Sequence, residues 1–451
     1  MARWIRKRYI ADKHPYIHSQ GMHQRTIKGK NMKALRSLLL RILILFTCPT
    51  FLYALDLYHY YRAPFFFQET RLGYPWLTSV DFFAGGGGTR NSFDRNHNEV
   101  PLLSLYGPEN LQFIGQGVTL QDPSNPFDQV LAALPALGSH DHFGRVCFDG
   151  HFHIFEAAFS VIQNFTHGFF VQAYLPIRQL ELSEICFKDQ SPLTGIPNLN
   201  NPLWQELISN LSAITKRYGL SIDAGTRSGV GDLSLLLGWT HTLTSTWDID
   251  FFDVTLRAGI LMPTSKHCIN HAFLPQISYN HWGLPAMIQF ALGLFDWLNF
   301  GMQGFVLWLF DRNQMMRIKT SENQNGMIKL ATACVKVDPG VIWQIGAYIK
   351  ADHVIHHMIS LLVGYSFVEQ RSTRICLPDN SIPHNIINND QTLRSWEQHT
   401  IHALVEFDFV NMHHIAHPRL TIFYNVPVAG QRIFATPLFG GSIGAEITWN
   451  Y

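Results

Sequence analysis

Apolar and polar residues alternate with period two in segment after segment of this chain, and the segments come in pairs. They lie at about 75–86, 150–163, 166–178, 229–243, 250–264, 285–297, 300–312, 339–351, 354–370, 398–412, 416–428 and 440–451. All are longer than the roughly 5–6 residues of an ordinary strand, and long enough to cross a bilayer when tilted. Phe252, Val254, Leu256, Ala258 and Ile260 share one face, while Asp253, Thr255, Arg257 and Gly259 share the other. Ile401, Ala403, Val405, Phe407 and Phe409 oppose His402, Glu406 and Asp408 in the same way. Hydrocarbon outside and polar packing inside produce this pattern.

The connections narrow the choice further. Those near "NFTHG", "TSTWDI", "WLNFG", "AD" and "NMHHIAHP" are short. Those at 87–149, 179–228, 265–284, 313–338 and 371–397 are long, and 429–439 is intermediate. Regular alternation of short and long predicts a transmembrane antiparallel up-and-down β-barrel of about 12 strands, with short periplasmic turns and long external loops. Charged residues are only 15%, against about 25% in an average soluble domain. The net charge of +1 offers no basic surplus for nucleic acid.

Three regions are expected. Leu38–Ala54 is apolar, follows Lys33 and Arg36, and ends at "FLYALD". Residues 1–54 therefore read as a basic leader and signal peptide cut after Ala54, with export to the bacterial outer membrane. An uncleaved anchor and lipidation at Cys48 are the other readings of that stretch. Residues 55–74 read as a periplasmic segment or small plug, and 75–451 as the barrel. The last strand should pair with the first. Its ending, with Ile447, Trp449 and Tyr451 on one face, resembles the signal read by the barrel assembly machinery.

The most specific motif spans two successive strands: "SGVGDLSLLLGW" and then "DVTLRAGILMPTS". It resembles the outer-membrane channel superfamily of long-chain fatty-acid transporters and "MetA-pathway of phenol degradation" proteins. The matching residues are Gly229, Gly231, Asp232, Gly259, Pro263 and Thr264, under a tenth of the chain. The resemblance implies passive uptake of small, hydrophobic solutes. The fatty-acid transporters carry an N-terminal hatch, and no lateral gate carries over to this chain.

Asp232, Arg257, Asp408, Arg419 and Glu446 are the expected lumen-lining charges, with Asp408, Arg419 and Glu446 on neighbouring strands. Phe152, Ile154, Met287, Phe305, Leu307 and Leu309 also fall on the lumen face, so a partly apolar or plugged lumen is expected. Within the second long loop, Asn201, Pro202 and Gly219 frame an amphipathic helix with Leu203, Leu207, Leu211, Ile214 and Tyr218 on one face. Cys147, Cys186, Cys268, Cys334 and Cys376 lie in or beside the long loops, with pairing left open. No histidine cluster has metal spacing, so no metal or cofactor is expected. An outer-membrane lipase needs a serine with a neighbouring histidine; no GxSxG occurs and the strand scheme aligns no Ser–His pair, so no enzyme is expected. The reading is a monomeric channel in outer-membrane lipid, against a surface-exposed barrel adhesin or structural protein.

Overall fold

The computed structural model describes residues 76–137, 143–190, 201–244, 249–295, 297–355, 358–378, 382–409 and 416–449. The expected leader and signal peptide, residues 55–74 and Tyr451 lie outside the described residues. Twelve strands form one ring: β1 (Leu77–Thr89), β2 (Arg145–Asn164), β3 (Phe169–Asp189), β4 (Leu233–Thr244), β5 (Ile249–Met262), β6 (Gly283–Leu294), β7 (Leu298–Leu309), β8 (Val341–Ile355), β9 (Ile359–Gln370), β10 (Trp396–Asp408), β11 (Ala416–Gln431) and β12 (Leu438–Thr448). Each is antiparallel to the next, and β12 returns to β1 with Leu77 opposite Thr448 and Gly85 opposite Gly440. The ring leaves no strand edge, as hydrocarbon demands of a spanning sheet. None of the described helices is long and apolar enough to cross a membrane.

All twelve expected segments are strands of the ring. Period two follows from the pleat, which sends successive side chains to opposite faces. Phe82, Leu237, Leu256, Ile345, Ile401 and Ile443 are exposed outside, while Asp81, Arg257, Gln344, His402 and Ser442 are buried inside. On the outer wall a concavity of about 600 Å³ lies over the small residues Ala258, Ala286 and Gly304, between Leu237, Trp239 and Trp343. It opens on the outer, apolar face of the wall.

Two boundaries differ. The turn expected at "AD" lies within β8, which runs to Ile355 before β9 begins at Ile359. The segment expected to run unbroken over 229–243 is split: Gly225–Val230 pairs with the far end of β3, and β4 starts at Leu233. β2 and β3 extend further than their alternation suggests, to 20 and 21 residues, and their hairpin rises past the rim. That rise carries Cys147 and Cys186 on strands. All five cysteines among the described residues carry free thiols.

The long connections fold on one another. Helix α1 (Pro126–Ala133) is capped by Asn125, and α2 (Pro202–Arg217) by Asn201, whose side chain accepts from the Leu203 N–H. Past the C-terminus of α2, Gly219 takes φ +66°, the left-handed conformation that ends helices without a Cβ clash. The buried face of α2 is Trp204, Leu207, Leu211 and Ile214. Leu203 and Tyr218 are only partly buried, and Trp204 replaces them as the deepest anchor. Each such side chain is worth about 1.5–3 kcal/mol when buried. Asp128 on α1 accepts from Arg217 and Tyr218, and Arg317 donates to the Tyr218 and Gly219 carbonyls. A separate three-stranded sheet (Arg312–Arg317, Thr332–Asp338, Arg374–Cys376) and the short helix α3 (His384–Asn388) surround a second small core.

Gly259 shows how tightly the wall is drawn. A Cβ there would sit 1.9 Å from the Leu235 carbonyl oxygen on β4. Gly259→Val should therefore lower stability by about 1–3 kcal/mol. Urea unfolding will show it as an earlier midpoint with an unchanged slope; an unchanged midpoint would mean the wall yields there.

Candidate functional site

The lumen is lined by side chains of three kinds. At the end with the short turns the charges are paired. Arg419 on β11 meets Asp81 on β1 at 2.7 Å and Glu446 on β12 at 3.5 Å. Lys350 lies 3.5 Å from both Asp352 and Glu406. Towards the long loops, Arg178 meets Glu156 at 2.5 Å and donates to the Ile277 carbonyl. Between these lie mostly uncharged groups: Thr240 with Thr255, Gln172 with Ser160, the glutamines 289, 303 and 344, and Ser366 with His402 and Asn425.

The third kind is apolar. Phe152, Ile154, Met287, Phe305, Leu307 and Leu309 are all buried. They belong to one continuous cluster that also contains Leu111, Leu131, Trp204 and Ile328 of the long connections. The apolar interior thus runs without a break from the loop layer into the barrel. An open aqueous pore would leave these surfaces wet.

The expected lumen charges divide. Arg257 points inward, donates to Gln172 Oε1 at 3.0 Å, and sits 5.3 Å above the Phe170 ring. Arg419 and Glu446 come together. Asp408 faces Arg419 across the β10–β11 ladder, but the shortest partner of Arg419 is Asp81. The two are far apart in sequence and meet because closure makes β1 the neighbour of β12.

Asp232 is fully buried and stands just before β4. Its carboxylate accepts from the Ser265 N–H, the Ser265 hydroxyl and the Asn280 N–H. Nearby, Thr264 donates its hydroxyl to the Gly231 carbonyl, and the Gly231 N–H donates to the Pro176 carbonyl. The motif residues Gly231, Asp232 and Thr264 therefore staple the end of β4 to the segment after β5. Pro263 follows the end of β5, and Gly229 pairs with Arg178 on β3. At the other end Ile447 pairs with Thr78, and Trp449 donates its indole N–H to the Thr78 hydroxyl at 2.7 Å.

The contact that sequence reasoning missed is Ser366 to His402, 2.7 Å apart. It is a buried, inward contact, not the pair at the lipid-facing rim that a lipase would need. The two are diagonal neighbours, since Ser366 is opposite Thr400 and Gly364 is opposite His402. The inward parity of His402 was readable, but the register across β9 and β10 was not. Among the described residues no group of three histidine, cysteine, aspartate or glutamate side chains is placed to hold a metal.

Among solved structures the chain is similar to an outer membrane channel from Pseudomonas putida F1, at 11% identity and TM-score 0.47, over 89% of this chain and 99% of that one. It is also similar to the β domain of the Bordetella autotransporter BrkA, at 8% identity and TM-score 0.32, over 83% and 100%. A third likeness is to the CymD monoaromatic hydrocarbon channel, at 7% identity and TM-score 0.28, over 84% and 90%. No family model matches the chain, and no curated protein matches it. Likenesses this distant assign neither family nor function.

Glu109 ties the loop layer to β2. Asn110 and Glu109 pair with Arg145 and Val146, and the Glu109 carboxylate accepts from the Met327 and Ile328 N–H groups. Burial pushes the Glu109 carboxyl up to about 7. A carboxyl raised in the folded state holds its stability below its unfolded value and loses it as pH rises through the folded one. Limited proteolysis of the loop layer should therefore speed up between about pH 5 and about pH 8. Glu109→Gln should remove that dependence; a variant that keeps it would show that another group titrates.

Proposed function

We propose that this chain is an outer-membrane channel through which small, hydrophobic solutes pass without an energy source. The observation that carries this reading is the apolar cluster running from the loop layer into the lumen. An apolar solute entering from the long loops meets apolar side chains, while ions and sugars must give up their water. The pairing of Arg419, Lys350 and Arg178 supports the same reading, because a charge held by partners attracts counter-ions weakly. The long-loop end then faces outward and the short turns face the periplasm. Barrel assembly at the membrane is the role assigned to Ile447 and Trp449, together with Tyr451. The chain is taken to work as a monomer in outer-membrane lipid.

Uptake by cells separates the readings. Expressing the protein should raise uptake of labelled toluene several-fold and leave a labelled disaccharide unchanged. A parallel rise for the disaccharide would mean a water-filled pore. No rise for either would favour a closed structural barrel or adhesin.

A further inference from the structure

Three inward side chains on adjacent strands form a hydrogen-bond chain that passive transport does not use. Ser366 Oγ on β9 lies 2.7 Å from His402 Nε2 on β10, and His402 Nδ1 lies 3.0 Å from Asn425 Oδ1 on β11. A carbonyl oxygen only accepts, so Nδ1 carries the proton and Nε2 offers its lone pair to the serine hydroxyl. Nucleophile, base and orienting group stand in the order that acyl transfer needs.

The surroundings supply the remaining parts. Ser366 is opposite Gly346 in the β8–β9 ladder. The space over Gly346 is taken by Gln303: a Cβ there would lie 2.9 Å from its amide nitrogen. Gln344 lies two residues along the same face of β8. Both glutamines are buried, and neither the oxygen nor the nitrogen of either amide has a hydrogen-bond partner. Amide N–H donors left open beside a nucleophile suit an oxygen that gains negative charge. Phe305, opposite Gln344, and Met287 add an apolar shelf next to them.

We propose that Ser366, His402 and Asn425 form an acyl-transfer centre inside the lumen that hydrolyses small neutral esters of apolar acids. Ser366 Oγ bonds to the carbonyl carbon as its proton passes to His402 Nε2. The carbonyl electron pair moves onto oxygen, which the Gln303 and Gln344 amides receive. Collapse breaks the bond to the alcohol, which leaves with the proton from His402. Water then repeats the sequence, releases the acid and restores the serine hydroxyl, so no oxidant or further reactant is needed. Asn425 touches only the histidine and is a positioning residue. Because all three side chains face the lumen, bilayer phospholipid is not the substrate.

The test uses the whole barrel in detergent, with its folding followed by heat-resistant electrophoretic mobility. A fluorophosphonate should modify the wild type on the peptide containing Ser366, and 4-nitrophenyl butyrate should be hydrolysed. Ser366→Ala should abolish both. Replacing Gln303 and Gln344 by leucine should lower kcat about a hundredfold or more with KM little changed. Asn425→Ala should slow hydrolysis and Asn425→Asp should restore it, a rescue that a merely structural role would not give. The proposal is overturned if folded wild type takes no fluorophosphonate and hydrolyses the ester no faster than Ser366→Ala. Labelling on another residue, or phospholipid cleaved in preference to the short ester, overturns it equally. Toluene uptake is read separately, so either result leaves the channel reading to its own test.

Discussion

Backbone hydrogen bonding is the constraint on which the rest of this structure depends. Inside a bilayer an unpaired N–H or C=O has no water to turn to, so a sheet that spans it must close. The seam between β1 and β12 meets that demand, and glycine at Gly85 and Gly440 lets the two backbones approach closely. Closure then dictates the two faces. Every second residue is delivered to hydrocarbon, and the others to a narrow interior where polar groups must find one another.

That interior is organised by partnership more than by free space. The paired charges near the short turns bind strands that closure brings together, with Arg419 bridging β11, β12 and β1. Removing one partner of such a buried pair typically costs about 3–5 kcal/mol, because the other charge is left behind. Near the loops the filling is apolar, and the same cluster anchors α2 through Trp204. The Gln303 and Gln344 amides are buried with neither oxygen nor nitrogen hydrogen-bonded. Such groups are costly to keep, and these two lie beside Ser366.

Much of this was legible in the sequence, because strand alternation is a property of one strand at a time. Phe252 to Ile260 shows its two faces without any neighbour, and so does Ile401 to Phe409. Helix α2 was legible for the same reason, since Asn201, Pro202 and Gly219 act locally. What stayed hidden depends on register between strands. Ser366 reaches His402, and Asp81 reaches Arg419, only once the ladders are aligned. The parity of Asp232 with Leu233 and Ser234 continues into β4. Its partners Ser265 and Asn280 lie in two segments that no local pattern connects to it.

Apolar side chains and loops fill the long-loop end of this barrel, where an open pore would hold a water column. Single-channel recording of the purified barrel in a planar lipid bilayer tests it most directly. The account predicts no steady ion conductance above that of the bare bilayer, with or without an applied voltage gradient of either sign. A large, stable and reproducible conductance step for each inserted barrel would contradict it.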